Sequence, residues 1–278
     1  MLKIFVDSGS SIKQSEKEAL GVEILPLKIT LGNTEYLDGI DLPMSVFYNA
    51  LIKEKLFPKT SLPSLGDAED AVTRYTDAGD EVLIITISSG ISGTYNAFKT
   101  LFAENPNVLV IDSKSAVGGV RILAHEANKY RDRDLAFIKE KLTALVPRLR
   151  VVAVPETLEH LCRGGRLSHS AFAVGTLLQL KPLITIDSQW DGSVKVLSKA
   201  VGKRRAMSAV TSYLTTERCD LNYPIVPSYT YDSDNLDMLI SMTNSEYLPA
   251  MTAYDELDPA IACHWGPGAF GYIFVAGE

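Results

Sequence analysis

"EVLIITISSGISGTYNAF", residues 81–98, runs from a near-continuous apolar stretch through a polar cluster into a helix-like segment. The first seven residues show no alternation, as a parallel strand buried on both faces requires. Three serines, two glycines and a threonine follow between Ser88 and Thr94. Strand, polar turn and helix form one unit of an open α/β sheet, and the pattern repeats on either side. "LKIFVD" (2–7) and "NVLVID" (107–112) are strands of the same kind. "VEILPLKITL" (22–31) is extended, with "GNTEYLDG" as its turn. Helices are expected over 12–21, 43–54, 67–79 and 94–105, and a long one over 116–146 that ends before Pro147. The first half therefore predicts an open, mainly parallel sheet with helices on both faces.

After residue 150 the pattern changes. "VVAVPET" (151–157) reads as a strand, "LEHLCRGG" as a short helix and "SAFAVGTLLQL" (170–180) as an apolar helix. "PLITID" and "VKVLSKAVG" flank "SQWDGS" as a hairpin, and "KRRAMSAVTSYLTTE" follows as a helix. The rest reads as short strands joined by Pro and Asn turns. The expectation is an α/β domain over 1–149 and an α+β domain with a mainly antiparallel sheet over 150–278.

A chain of 278 residues with 46% hydrophobic and 22% charged residues has ample material for a core. Its net charge of −7 makes it a poor partner for nucleic acid, whose nonspecific affinity comes from neutralising phosphates. Any anionic ligand must be held by a few local donors. Cys162, Cys219 and Cys263 are scattered and odd in number, which suits free thiols better than disulfides or zinc. Read as a strand, Cys263 and His264 would face opposite ways and form no catalytic pair. "MLKIFV" is too short for a signal core, and "GPG" at 266–268 breaks the longest uncharged run. A soluble cytoplasmic protein with no membrane segment is the expectation.

Three hydroxyl-rich loops stand out: "DSGSS" (7–11), "KTSLPS" (59–64) and "SSGISGTY" (88–95). The first and third follow parallel strands, and in such sheets ligands bind outside the carboxyl ends of the strands. The third also opens a helix, whose N-terminus favours negative charge. Ser and Thr at such positions also cap helices routinely. A nucleophile elbow would need G-x-S-x-G, but Thr94 stands where its second glycine belongs. Of His125, His160, His169 and His264, only His264 lies in a Gly-rich stretch, "CHWGPGAFG". Ser92, an Asp such as Asp232 or Asp255, and His264 would fall in hydrolase order, so an esterase or thioesterase stays open. "RGGR" (163–166) offers either a glycine cap with a solvated arginine or an arginine near an anion. No phosphate-binding loop, dinucleotide fingerprint, zinc-protease or kinase signature is present.

Taken in order, "VDSGSSI", "LPLKI", "YLDG", "KTSLPS", "ISSGISGTYNAF", "IDSK", "ETLEHLCRGGRLS", "LLQLKPLITID" and "HWGPGAFG" resemble the DegV family over nearly the whole chain. These are bacterial fatty-acid-binding proteins whose characterised members are the acyl-carrying subunit (FakB) of fatty acid kinase. The resemblance implies a non-catalytic protein that holds a long-chain fatty acid between two domains and presents it to a separate kinase. It implies no metal and no cofactor beyond that ligand. It places Thr60, Ser61, Ser92 and Thr94 at the carboxylate, with Arg166 and His264 nearby, so that Ser92 is a donor rather than a nucleophile. Two departures stand out. Val201 in "KAVG" replaces the arginine usual in K-V-R-G, which is implicated in presenting the acid to the kinase. Val6 replaces the threonine of the usual T-D-S start. About fifteen methylenes give on the order of 12 kcal/mol of transfer free energy. Against association costs of about 4–15 kcal/mol, that still permits micromolar binding, with the head group mainly setting orientation.

Overall fold

The computed structural model describes residues 1–168 and 180–278. Four strands, β1 (Leu2–Asp7), β2 (Val22–Leu25), β6 (Glu81–Thr86) and β7 (Val108–Asp112), form a parallel sheet in the order β2-β1-β6-β7. β6 lies inside it, with Val82 to Thr86 fully buried between β1 and β7. That is why its sequence shows no alternation. Helices α3 (Leu65–Asp77), α4 (Thr94–Leu101), α5 (Gly118–Asn128) and α6 (Leu135–Leu145) accompany this sheet, with short α1 (Lys17–Leu20) and α2 (Met44–Tyr48) before them.

A small antiparallel sheet joins β3 (Lys28–Leu31), β4 (Thr34–Leu37) and β5 (Lys59–Ser61) in the order β4-β3-β5. The stretch 32–39, expected as a turn, thus contains a strand. Gly32 at φ +63 makes the turn tight enough for β4 to pair at once with β3. The single helix expected over 116–146 is two. The polar stretch "KYRDRD" (129–134) breaks it, and Asp134 caps α6 by accepting the Phe137 N–H at 2.8 Å.

The remaining strands form one six-stranded sheet: β8 (Leu149–Val154), β9 (Leu180–Ile186), β10 (Val194–Val201), β11 (Val226–Tyr229), β12 (Asp255–Glu256) and β13 (Phe270–Val275), ordered β10-β9-β8-β13-β11-β12. It is antiparallel apart from the β11–β12 pair. The hairpin around "SQWDGS" is the β9–β10 pair. Helix α7 (Glu159–Arg163) follows β8, and α8 (Lys203–Thr216) follows β10. Two further helices, α9 (Asp234–Met242) and α10 (Pro259–Trp265), occupy a region expected to hold only strands and turns. The apolar helix expected at 170–180 falls outside the described residues up to 179, as does His169; Leu180 opens β9.

One apolar cluster draws on both large sheets, from Ile4, Leu83 and Ile85 to Val151, Ile184 and Ile273. A second lies between the six-stranded sheet and α8 and α9, around Val152, Met207 and Tyr272. No helix among the described residues is long and apolar enough to cross a membrane.

Candidate functional site

The turn after β6 is held from several directions. Asp7, buried at the end of β1, accepts the Ile87 N–H on Oδ2 at 2.9 Å. The Ser88 N–H donates to the Ser115 carbonyl at 2.8 Å, and the Ser89 N–H to Asp112 Oδ1 at 3.1 Å. The Ser88 hydroxyl donates across the molecule to the Gly192 carbonyl in the β9–β10 turn at 2.7 Å. Ser88 is therefore structural. The Ser92 and Ile91 N–H groups donate back to the Ser88 carbonyl, curling the turn so that Ser92 lines a cavity. Ser92 Oγ and Thr94 Oγ1 lie 2.8 Å apart, and the Thr94 N–H donates to Ser92 Oγ at 3.3 Å.

Thr60 arrives from β5, opposite Ile29 of β3. His264 arrives on α10, and its Nε2 lies 3.0 Å from Thr60 Oγ1. The expected loop around His264 is thus a helix. Asp258 precedes it in extended conformation, Pro259 occupies the first turn, and Gly266 ends it at φ +75. Its other residues, Pro259 to Cys263 and Trp265, are all buried, so it carries no amphipathic pattern. Cys263 and His264 are helix neighbours, and the Cys263 thiol turns back to the Ala260 carbonyl at 3.3 Å. The helix start is fixed by Asp38, whose Oδ1 accepts the Ala260 N–H at 2.9 Å, and by the Lys13–Asp258 ion pair at 2.5 Å.

Arg166 follows α7 through Gly165, which turns the chain at φ +74. Its Nε donates to the Ile91 carbonyl at 2.9 Å, and its Nη1 to the Gly164 carbonyl. The guanidinium is thus tied to the segment that carries Ser92. Burial pushes the His264 imidazole down to about 3, helped by the Arg166 charge and by His160. His264 is neutral at physiological pH, so it offers a hydrogen bond and no formal charge.

These groups frame a cavity of about 230 Å³. Thr60, Ser61, Ser92, Arg166 and His264 all line it, while Thr94 is buried behind Ser92. The rest of the wall is mainly apolar. Ile87 and Ile91 come from the β6 turn, Ile186 and Val194 from the β9–β10 hairpin, and Ile261 and Trp265 from α10. Sequence reading did not pick out these apolar residues, because nothing distinguishes a cavity wall from a core in a single sequence.

Among the described residues the hydrogen bonds form no hydrolytic triad. Ser92 pairs with Thr94, His264 pairs with Thr60, and His264 Nδ1 is buried with no partner among the described residues. Asp232, one candidate third member, is exposed. Among the described residues no group of three or more His, Cys, Asp or Glu is placed to hold a metal ion.

The model of a family of uncharacterised proteins, the DegV family, matches residues 1–277. A DegV domain-containing protein of Clostridium acetobutylicum is 30% identical over 284 residues, with 98% of each chain covered. A structure described as fatty acid binding of a DegV family protein from Thermus thermophilus superposes with a TM-score of 0.87 at 28% identity, covering 99% of both chains. A stearic-acid-binding protein from Eubacterium ventriosum gives a TM-score of 0.80 at 25% identity, covering 99% of this chain and 98% of the other.

Proposed function

This chain belongs to the DegV family, and from that premise we propose that it is a cytoplasmic, non-catalytic carrier of one long-chain fatty acid. In this reading residues 1–149 and 150–278 act as two domains, with the acid in the cavity between them. Thr60, Ser61 and Ser92 face the carboxylate, Thr94 orients Ser92, and His264 and Arg166 complete the set. The carboxylate is presented to a separate fatty acid kinase.

The observation that carries the reading is the cavity itself: hydroxyls, one neutral imidazole and one anchored guanidinium set in an apolar wall. A buried carboxylate must be satisfied by donors, and these groups supply them. An acyl chain gains free energy from the apolar remainder in proportion to the methylenes it buries. Structures 28% and 25% identical, described as fatty-acid- and stearic-acid-binding, support the ligand class.

The test is extraction of the purified protein under denaturing conditions, followed by mass spectrometry. One fatty acid per chain is the expected result. A lipid-free protein that also takes up neither palmitate nor oleate would sink the proposal.

A further inference from the structure

β7 is the last strand of the parallel sheet, and among the described residues it pairs only with β6. The register decides which of its groups are used. The Val82 N–H donates to the Asn107 carbonyl, and the Ser113 N–H donates to the Thr86 carbonyl. Odd-numbered residues from 107 to 113 therefore turn their backbone toward β6, and even-numbered residues turn theirs outward. The Val108 N–H is satisfied within the preceding turn by the Asn105 carbonyl. That leaves the Val108 carbonyl, both backbone groups of Val110 and the Asp112 N–H along the open edge.

The edge is recessed between two helices. α4 forms one wall with Tyr95 and Lys99, continued by Phe102 at its C-cap, and α6 forms the other with Lys139 and Thr143. Between them lies an open groove of about 740 Å³, floored by Val108, Leu109 and Val110, which are only partly buried. An open edge of apolar residues is a template for another strand, and the usual protections of proline, bulge or cover are missing from its centre.

The charge at the rim selects the occupant. Lys114 is neutralised by Asp112 at 3.1 Å and Asp191 at 2.6 Å. Lys99 lies over the Tyr95 ring, Lys139 is exposed, and neither is in an ion pair among the described residues. Glu140, beside Lys139, pairs with Lys141. The groove is thus cationic on a chain whose net charge is −7. A second copy docked edge to edge would set these lysines against their own equivalents, so self-pairing is disfavoured.

We propose that the open edge of β7 takes up an extended segment of a partner protein, acidic overall with an apolar centre, as a fifth strand of the parallel sheet. Main-chain hydrogen bonds to Val110 and Asp112 supply the binding, and Lys99 and Lys139 supply the charge selection. The groove shares no lining residue with the lipid cavity.

The probe is a fluorescent peptide, acetyl-Asp-Glu-Val-Thr-Val-Glu-Asp-amide, titrated with the full chain and followed by anisotropy. Its counterpart has lysine at each acidic position. The acidic peptide should bind saturably and at least about tenfold more tightly than the basic one, with the difference shrinking in high salt. Lys99→Glu combined with Lys139→Glu should weaken it by about tenfold or more. Val110→Pro should abolish binding while leaving lipid content unchanged, since a proline whose N–H faces outward is tolerated at an edge. Hydrogen exchange on the wild type gives an independent reading, because the Val110 and Asp112 amides should gain protection when peptide is added. Equal binding of both peptides, no saturation by about 1 mM, or unchanged exchange at those two amides would overturn the proposal. So would a concentration-dependent dimer abolished by Val110→Pro, which would make a second copy the occupant.

Discussion

At the scale of single residues, the structure separates a serine that holds the turn from hydroxyls that line the cavity. Ser88 spends its hydroxyl on Gly192, whereas Ser92 and Thr60 keep theirs at the cavity wall. Ser92→Ala and Thr60→Ala should each weaken fatty acid binding by about 1–3 kcal/mol, the cost of leaving a buried charged group one donor short. Displacement titration of a fluorescent fatty acid measures this, and unchanged affinity in both variants would move the head group elsewhere. Asp7 makes a different prediction. Burial pushes its carboxyl up from 3.8 to about 7, against hydrogen bonds from the Ile87 and Gly9 N–H groups. A raised carboxyl favours the protonated form in the folded state. Its contribution is complete below the unfolded value and is lost as pH rises through about 7. Asp7→Asn should therefore gain stability relative to wild type progressively across about pH 4 to 8 in urea unfolding. A difference that stays flat with pH would mean that Asp7 is ionised in the fold. None of this was legible in "VDSGSS", where only the hydroxyls drew notice; a buried acid beneath a loop has no local signature.

At the scale of elements, legibility followed burial geometry. β6 was readable because a strand covered on both faces leaves a continuous apolar run. α10 was not, because a helix buried on nearly every side leaves the same kind of run, without amphipathic period. Its end signals, Pro259 and Gly266, were present but read as turn residues. α9 begins with Asp234 and Asp237 and buries Leu236 and Leu239, a weak helical spacing that gave way to the surrounding turns. The hydroxyl loops and His264 were legible singly, but the pairing of Thr60 with His264 was not, since only the tertiary fold joins them. The contact between the β6 turn and the β9–β10 turn can be tested through Gly90. A Cβ there would meet the Gly192 carbonyl carbon at 2.5 Å and the Asp191 oxygen at 2.6 Å, both backbone atoms. Gly90→Ala should push the hairpin off the Ser92 turn. We expect a loss of about 1–3 kcal/mol in stability, read by urea unfolding, and weaker lipid binding with it. A variant as stable as wild type would show that the two turns are not pressed together.

At the scale of the whole molecule, the proposed hand-off to a kinase turns on Val201. It is 50% exposed, at the end of β10 and just before Gly202 and α8. Lys203, Arg204 and Arg205 are exposed beside it, and Lys203 is 3.7 Å from Glu156. Phosphoryl transfer to a carboxylate concentrates negative charge, and a cation placed near it stabilises the transition state. Val201→Arg should match or exceed wild type in acyl-phosphate formation with a kinase from the same source, at unchanged lipid affinity. A fully active wild type beside an impaired Val201→Arg would show that other cations already meet the need. The order of the six-stranded sheet carries one further consequence. β13 lies between β8 and β11, yet it is synthesised after both. Until residues 270–275 are made and released, the sides of β8 and β11 that β13 will occupy have no partner. A chain that stalls before β13 is made leaves the largely apolar β8 unpaired on that side, a form prone to aggregate or to recruit a chaperone.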